Sequence, residues 1–379
     1  MQYRVIGLMS GSSLDGLDMV FVHFQENSGK WVYEIQQTAC YPYSTEWSNK
    51  LKNAPALSAY DYQLLHTEYG HYLGAQVNRF IEENDLQFQV QLISSHGHTV
   101  FHLPAKKMTA QLGDGAAIAS STGINTISDL RSVDLALGGQ GAPIVPIGEK
   151  LLLEPYRFFL NLGGIANLTA RVSMEKSKTA GSGSVEHFIA FDVCPANRIL
   201  NLLALDAGKT FDEDGYMAST GYLDANLLSR LNQFPYYEYP YPKSLGNEFG
   251  NDELYPMIRQ ASGSIQDKLR TAVEHIAIQV RDSVEEVLKN AEPSEKEMRM
   301  LVTGGGAHNK FMISRLSELT RRIGVELLIA DPKLADYKEA LIMAFIGVLR
   351  WREETNVLSS VTGASRDSIG GAVWMGQEA

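Results

Sequence analysis

The chain has 379 residues, of which 44% are hydrophobic and 20% charged, and its formal net charge is −11 at pH 7. This length favours two domains over one, and the composition is that of a soluble globular protein. The negative charge argues against nucleic acid or an anionic membrane as the main partner, because both attract a basic surface.

The two cysteines, Cys40 and Cys194, are too few for a disulfide framework and fit a reducing compartment. The start "MQYRVIGLMS" lacks the charged region and long apolar run of a signal peptide. No apolar run approaches the roughly 18 residues of a membrane helix. We therefore expect a cytoplasmic protein without a membrane partner.

The first third of the chain alternates apolar runs with a helical stretch. "YRVIGLMS", "LDMVFVHF" and "WVYEIQQTACYPY" are rich in β-branched and aromatic residues, and they predict three strands of which the first two form a hairpin. Residues 58–84 carry apolar side chains on one helical face. "VQLISSHGHTVFHL" predicts a strand, a glycine-containing break and a further apolar segment. This alternation indicates an α/β architecture.

A small polar turn, "SGSSLDG", separates the first two predicted strands. It is not a P-loop, because no Gly-Lys-Ser/Thr follows and no helix begins there. Its N–H groups and the hydroxyls of Ser12 and Ser13 could form a nest for an anion, with a magnesium ion between Asp15 and a phosphate. Taken alone, the turn favours the simpler alternative of an ordinary hairpin connection.

Three histidines, His96, His98 and His102, lie within seven residues of one another. A metal site is conceivable, but no cysteine accompanies them. Hydrogen bonding to a substrate is the better interpretation, and simple surface histidines remain the alternative.

Further on, Arg131 could clamp a carboxylate with two hydrogen bonds. The commoner alternative is an ion pair with Asp129 or Asp134. Glu339 is a candidate acid on the apolar helix predicted by "DYKEALIMAFIGVLR". Its alternative role is a favourable interaction with the helix dipole.

The middle of the chain shows the same pattern of predicted elements as its start. "YRFFLNLGGIANLTARV" predicts a strand, a glycine turn and a second strand, which suggests two related domains that each open with a hairpin. Two unrelated hairpins are the alternative. The polar residues 173–187 predict an exposed loop, and the proline- and tyrosine-rich residues 234–246 predict an irregular, ordered segment.

Asp192 follows the apolar run "HFIAF", and the chain breaks at Pro195 before a helix-like segment. An acid at the end of a strand can act as a general base toward a hydroxyl or water. The alternative is that Asp192 caps the following helix.

The clearest helix signal is a capping box formed by Ser264 and Asp267, followed by apolar residues at steps of three and four. Pro293 marks the end of this helix, and "MRMLVTGGGAHN" predicts a strand with a glycine turn at its carboxyl end. Ligands of open α/β sheets bind at that end. Three glycine turns without a lysine favour a phosphate and nucleoside site assembled from both domains.

Several segments together resemble the signature segments of the anhydro-N-acetylmuramic acid kinases. In order along the chain they are "GLMSGSSLDGLD", "SHGHTVFH", "QLGDGAAIA", "SDLRSVDLALGGQGAPIVP", "LNLGGIANLT", "YPKSLGNEFG", "VTGGGAHN" and "KEALIMAFIGVL". The resemblance extends over about the whole chain. It implies a two-domain actin-like (ribonuclease H-like) α/β fold with an interdomain cleft. The domains expected are residues 1–133 plus 360–379 and residues 134–359.

The resemblance also implies an activity. ATP and Mg²⁺ would phosphorylate O6 of 1,6-anhydro-N-acetylmuramic acid while water opens the anhydro bridge at C1. The product, N-acetylmuramic acid 6-phosphate, belongs to peptidoglycan recycling. A homodimer is a further expectation from the resemblance.

Site residues follow from the same resemblance. The phosphate hairpin falls on Gly11, Ser12, Ser13, Leu14, Asp15, Gly16, Leu17 and Asp18. The nucleoside contacts fall on Gly304, Gly305 and Gly306. The catalytic base falls on Asp192, and the sugar contacts fall on His96, Glu339 and Arg131.

Two departures from the family pattern concern the substrate. The usual Asp-Thr-Gly-Pro-Gly-Asn is Asp-Val-Cys-Pro-Ala-Asn at residues 192–197, and the usual Gln of "HGQT" is His98. The competing functions are a kinase for another amino sugar, a non-catalytic actin-like ATP switch, and a glycoside hydrolase that uses Asp192 and Glu339 as its two carboxylates.

Overall fold

The computed structural model describes residues 1–11, 14–175, 184–290 and 298–376. The chain forms two compact units. Unit 1 comprises Met1–Glu154 together with Tyr337–Ala379, and unit 2 comprises Pro155–Asp336.

The strands and helices alternate along the chain as expected for an α/β protein. The strands are β1 (Gln2–Ser10), β2 (Gly16–Asn27), β3 (Lys30–Pro42), β4 (Leu92–Leu103), β5 (Met108–Leu112), β6 (Thr126–Ser128), β7 (Phe158–Leu162), β8 (Ile165–Glu175), β9 (Ser184–Pro195), β10 (Arg299–Thr303), β11 (Glu326–Ile329) and β12 (Ala372–Trp374). The α-helices are α1 (Thr45–Asn53), α2 (Ala59–Glu83), α3 (Gly115–Thr122), α4 (Ser132–Ala136), α5 (Pro146–Leu152), α6 (Asn197–Asp206), α7 (Tyr216–Thr220), α8 (Ala225–Asn232), α9 (Tyr255–Gln260), α10 (Ile265–Asn290), α11 (Lys310–Arg321), α12 (Pro332–Trp351) and α13 (Ser359–Thr362).

Unit 1 is built on a sheet with the strand order β12-β6-β4-β1-β2-β3, and β5 pairs with β4. The strands β1, β2 and β3 are antiparallel neighbours, whereas β4 runs parallel to β1 and to β6. The three predicted strands and the helix over residues 58–84 are confirmed. The break predicted after "VQLIS" lies inside the single strand β4, where Gly97 has φ 71° and the pairing register shifts.

Unit 2 repeats this topology on a sheet with the order β11-β10-β7-β8-β9. Again three antiparallel strands, β7, β8 and β9, are followed by the parallel strands β10 and β11. Each unit therefore opens with a hairpin, as predicted, and the two sheets share one strand order. The predicted fold class is confirmed as well, because both units are mixed α/β layers of the actin-like kind.

The helix predicted from Ser264 is confirmed as α10. The N–H of Asp267 donates to Ser264 Oγ at 3.2 Å, and the N–H of Ser264 donates to Asp267 Oδ2 at 2.9 Å, which is a reciprocal capping box. The apolar face of α10 is buried in the core of unit 2 through residues such as Leu269 and Val273. Pro293, predicted to end this helix, lies outside the described residues.

The loop predicted over residues 173–187 is wrong at both ends. Ser173 pairs with Glu186 and Val172 with His187, so β8 and β9 extend into the polar stretch. Cross-strand pairing satisfies the backbone there without an apolar pattern, and residues 176–183 lie outside the described part of the chain. The segment 234–246 is irregular as predicted, with only a short 3₁₀ turn at Pro235–Glu238.

The boundaries of the two compact units differ from the boundaries of the predicted domains. The hydroxyl of Thr362 donates to Asp134 Oδ1 at 2.7 Å, which ties the α4 segment to the C-terminal part of unit 1. The second half of α12 also packs in unit 1, since a Cβ on Gly7 of β1 would lie 2.1 Å from the Ala340 carbonyl oxygen. Such side-chain contacts leave no signal in local composition.

Within the described part of the chain, none of the helices combines the length and the apolar character needed to cross a membrane.

Candidate active site

The turn between β1 and β2 starts at Gly11. Leu14 adopts φ 58°, and its N–H lies 3.4 Å from the Gly11 carbonyl oxygen. Asp15 ends the turn, and the chain continues into β2 without a helix. Ser12 and Ser13, expected to supply two hydroxyls, lie outside the described residues.

The rest of the predicted phosphate hairpin belongs to the sheet. Gly16, Leu17 and Asp18 lie in β2, which is paired with β1 on one side and β3 on the other. Leu17 is opposite Ser10, and its side chain is buried. Among the described residues of this hairpin, Gly11, Leu14 and Asp15 are therefore the ones that lie outside the sheet.

His96 lies in β4 and is almost fully buried. Its Nδ1 is 2.9 Å from the Gly97 carbonyl oxygen and donates to it, so Nε2 is the unprotonated acceptor. Among the described residues, none hydrogen-bonds this buried Nε2. Burial lowers the pKa of His96 to about 3, and the positive charge of Arg131 acts in the same direction. His96 is thus a neutral acceptor with an unused lone pair.

Arg131 and Glu339 influence each other and lie in the same unit as His96. Burial lowers the pKa of the Arg131 guanidinium to about 10, and the negative charge of Glu339 opposes this shift. Burial raises the pKa of Glu339, while the positive charges of Lys338 and Arg131 lower it. The structure therefore brings the three predicted sugar contacts together in unit 1.

The alternative ion pairs of Arg131 are not formed. Asp129 accepts a hydrogen bond from the Ser132 hydroxyl. Asp134 accepts from the Gly141 N–H and from the Thr362 hydroxyl, each at 2.7 Å. Asp134 is therefore a structural residue that holds a loop.

The metal interpretation of the histidines gains no support. Across residues 1–11, 14–175, 184–290 and 298–376, no group of three His, Cys, Asp or Glu side chains could hold a metal ion. His102 lies at the exposed end of β4, where its Nδ1 is 3.5 Å from the Thr109 hydroxyl.

Sequence reasoning missed a buried ion pair beside Glu339. Lys338 Nζ lies 2.9 Å from Glu149 Oε1, and the side chains are 4% and 2% exposed. Glu149 Oε2 is buried and has no hydrogen-bond partner in the described structure. The only sequence signal for this ion pair is that Lys338 stands next to Glu339 in an otherwise apolar helix.

In unit 2, Asp192 lies inside β9, three positions before its end. The position that caps α6 is Ala196, without a side-chain hydrogen bond, so the helix-cap alternative for Asp192 is wrong. Asp192 Oδ1 accepts from Asn167 Nδ2 on the paired strand β8, and Oδ2 accepts from the Leu245 N–H at 2.8 Å. Burial raises the pKa of Asp192, and these two hydrogen bonds lower it by less.

The aromatic segment 234–246 holds the backbone of Asp192 as well. The N–H of Asp192 donates to the Lys243 carbonyl oxygen at 3.0 Å, and the Tyr236 hydroxyl donates to the Asp192 carbonyl oxygen at 2.7 Å. Lys243 Nζ lies 5.0 Å from the centre of the Tyr236 ring. The segment 234–246 therefore holds Asp192 in place through hydrogen bonds to its backbone. The composition of the segment alone did not reveal this role.

The residues that depart from the family pattern are packed into the core. Val193 and Cys194 are buried in β9, and Ala196 is buried where α6 begins. The Ala196 N–H donates to the Gly164 carbonyl oxygen at 2.8 Å, which joins this stretch to the β7–β8 turn. Neither cysteine of the chain forms a disulfide.

The second and third glycine turns are neighbours at the carboxyl ends of β7 and β10. Asn161 of β7 is paired with Thr303 of β10, just before the two turns. Gly304 has φ 83°, and a Cβ there would lie 2.6 Å from Asn161 Oδ1. Gly305 is less crowded, since the nearest atom to its Cβ would be 3.8 Å away. The positive φ and the lack of space for a Cβ thus explain why residue 304 is a glycine. At Gly305 there is more space, so a ligand can approach the backbone.

Two α/β units of one topology, with glycine turns at the carboxyl ends of parallel strands, define an actin-like protein. The family model described as "Anhydro-N-acetylmuramic acid kinase" matches residues 3–376. The chain belongs to the anhydro-N-acetylmuramic acid kinase family.

Relatives of similar length support this assignment. The chain is 32% identical over 378 residues to an anhydro-N-acetylmuramic acid kinase from Hydrogenovibrio crunogenus, covering 97% of each chain. It is 32% identical over 373 residues to one from Vibrio parahaemolyticus, covering 95% of each.

Among solved structures, the chain is similar to the activator of 2-hydroxyisocaproyl-CoA dehydratase from Clostridium difficile with bound ADPNP. That similarity has a TM-score of 0.44 and 12% identity, over 92% of this chain and 96% of the other.

Proposed function

We propose that this protein is an ATP-dependent kinase that phosphorylates O6 of 1,6-anhydro-N-acetylmuramic acid and opens its anhydro bridge with water. The product is N-acetylmuramic acid 6-phosphate, an intermediate of peptidoglycan recycling. The observation that carries the proposal is the match to this family over residues 3–376. The polar cluster of His96, Arg131 and Glu339 and the supported acid Asp192 agree with it.

In this proposal Asp192 is the general base. It removes a proton from the water that attacks C1, the C1–O6 bond breaks, and O6 forms a bond to the γ-phosphorus as ADP leaves. A buried carboxylate with a raised pKa accepts a proton more readily than one in water. Hydrogen-bond donors around the transferred phosphoryl group stabilise its charge.

The substrate groups are assigned to the predicted residues. The Gly11–Asp18 hairpin takes the ATP phosphates, and Gly304, Gly305 and Gly306 take the nucleoside. On the sugar, a hydroxyl can donate to the free Nε2 of His96, and its lactyl carboxylate can pair with Arg131. Glu339 accepts from a further sugar hydroxyl.

Magnesium fits this assignment. Mg²⁺ in kinases is held by one or two carboxylates, substrate phosphates and water, so the single carboxylate of Asp15 at the end of the turn is a sufficient protein ligand. The ion would neutralise charge on the phosphates. We place the protein in the cytoplasm and expect a homodimer, in line with the resemblance.

Phosphorylation of another amino sugar is the second candidate. The departures at Val193, Cys194 and Ala196, and His98 in place of glutamine, favour it, because they change groups near Asp192 and the histidine cluster.

Incubation with ATP, Mg²⁺ and a panel of amino sugars tests the proposal. We expect phosphorylation of the anhydro sugar above all others. In ¹⁸O-labelled water, the label should appear at C1 of the product and not in the phosphate. Product without label at C1 would favour the second candidate, and label in the phosphate would indicate ATP hydrolysis.

A further inference from the structure

A chain of hydroxyl groups runs through the interior of unit 1 to His98. Tyr69 and Tyr43 are hydrogen-bonded through their hydroxyls at 2.6 Å, and the Tyr43 hydroxyl donates to Ser10 Oγ at 2.8 Å. Ser10 Oγ lies 3.1 Å from His98 Nδ1. Tyr69 is fully buried, and Ser10 and His98 are 3% and 6% exposed.

The proton direction along this chain follows from counting donors. Each hydroxyl carries one proton, and a buried proton without an acceptor is costly. If Tyr69 donates to Tyr43, Tyr43 to Ser10 and Ser10 to His98 Nδ1, all three protons have an acceptor. If instead Nδ1 carried a proton and donated to Ser10, the chain would run the other way, and the proton of the fully buried Tyr69 hydroxyl would have no acceptor beyond the chain among the described residues. The chain therefore favours the His98 tautomer with its proton on Nε2.

His98 remains neutral at physiological pH, because burial lowers its pKa to about 4. Nε2 is not among the fully buried atoms, and within the described part of the chain no residue hydrogen-bonds it. Ser10, the last residue of β1, is the register partner of His98 in the middle of β4, and Ser10 stands immediately before the turn that starts at Gly11. An N–H donor of fixed direction is thus available beside this turn.

We propose that the Tyr69–Tyr43–Ser10 chain positions His98 as a hydrogen-bond donor to a substrate oxygen. This inference rests on the proposed function, since it assigns one more contact to the same substrates. The acceptor is either a phosphoryl oxygen of the nucleotide or an oxygen of the sugar, and both accept from an N–H donor. His96 has the opposite tautomer, with a free acceptor, so the two histidines recognise different groups.

The tautomer is tested first, without any turnover. In ¹⁵N-histidine-labelled protein, His98 should show a protonated Nε2 and an unprotonated Nδ1 from about pH 6 to 8. Its signals are assigned by their loss in His98→Gln. In Ser10→Ala, which removes the hydroxyl and little volume, a mixture of tautomers should replace the single form. A protonated Nδ1 in the wild-type protein would overturn the proposal.

Binding is tested next, by calorimetry with ADP and with the best sugar of the panel. His98→Phe keeps a ring of similar shape but loses the donor, so we expect about 10- to 100-fold weaker binding of a charged phosphoryl group or about 3- to 10-fold weaker binding of a sugar oxygen. His98→Gln retains an amide donor and should bind within about threefold of wild type. Ser10→Ala should weaken the same ligand as His98→Phe.

The measurements with ADP and with the sugar distinguish the two possible acceptors of the His98 hydrogen bond. Weaker ADP binding assigns the phosphoryl oxygen, and weaker sugar binding assigns the sugar oxygen. Unchanged affinity for both ligands in folded His98→Phe or Ser10→Ala overturns the inference. Since the tautomer and ADP measurements need no sugar turnover, a failure of the proposed activity would leave them interpretable.

Discussion

The environment of Asp192 combines two opposing influences on one carboxyl group. Burial raises its pKa, while the Leu245 N–H and the Asn167 amide donate to its two oxygens and stabilise the charged form. The same hydrogen bonds fix the direction of the carboxylate. As the proposed base, Asp192 is both oriented and more basic than an exposed aspartate, and proton abstraction requires both properties.

Asp192→Asn is expected to lower kcat by about 10²- to 10⁴-fold, because it removes the base with little change in shape. ADP affinity measured by calorimetry should remain within a few-fold of wild type. Asp282→Asn, which changes a half-exposed carboxyl on α10, is the matched control and should retain full activity. Near-normal turnover by Asp192→Asn would return Asp192 to a structural role.

Asn167→Leu should shift the pH dependence of kcat/KM. The amide of Asn167 lowers the pKa of Asp192, so its loss raises that pKa further. The base works only when deprotonated, and activity falls as the pH drops through its pKa. The acidic limb should therefore move to higher pH. The exposed Asn226→Ala serves as control and should leave the limb in place. A limb that moves to lower pH would contradict this assignment of the base.

Among the secondary-structure elements, α12 combines an interruption of its helical geometry with a buried ion pair. Its helical geometry is interrupted at Tyr337, where φ is −116° and ψ is 15°. The next residue, Lys338, enters the interior of unit 1 and pairs with Glu149 of α5. A buried ion pair adds little net stability by itself, but loss of one partner leaves a buried charge uncompensated.

Lys338→Met should therefore reduce the free energy of unfolding by about 3–5 kcal/mol, measured by urea denaturation. The double variant Lys338→Met with Glu149→Leu should recover most of this loss, because neither charge of this pair is left buried without its partner. Lys310→Met removes a lysine of which 80% is exposed and whose pair with Asp214 is also short, at 2.7 Å. It should leave the midpoint of urea denaturation close to that of the wild type. Equal losses for both lysines would contradict the role of burial.

The sequence predicted elements well where a local pattern determines them. The hairpins opening each unit, the helix after Ser264 and the glycine turn after β10 all follow from periodicity, capping and turn residues. The ends of β8 and β9 were missed because pairing across the hairpin holds them. The contact of Asn167 with Asp192 depends on a register shift between Ala166 and Asn167, which no local pattern encodes. The grouping of His96, Arg131 and Glu339 came from resemblance, and only the fold relates them in space.

At the scale of the whole molecule, the two units differ in how the chain builds them. The main core of unit 2 consists of residues from Phe158 to Val325, all within one continuous segment. Unit 1 needs two segments. Phe345 of α12 packs on Phe24 with ring centres 5.3 Å apart, and the Met343 carbonyl oxygen accepts from the Ser94 hydroxyl at 2.6 Å.

This difference predicts how fragments of the chain behave. Residues 155–336 should fold alone and show a cooperative thermal transition by circular dichroism, because their core is complete. Residues 1–154 alone lack α12 and leave the face around Gly7, Phe24 and Ser94 uncovered, so they should show no cooperative transition. Joining residues 337–379 to residues 1–154 through a flexible linker is the matched control and should restore it. A fragment of residues 1–154 as stable as this fusion would mean that α12 is not needed for the core of unit 1, and the division of the chain at residues 154 and 337 would be wrong.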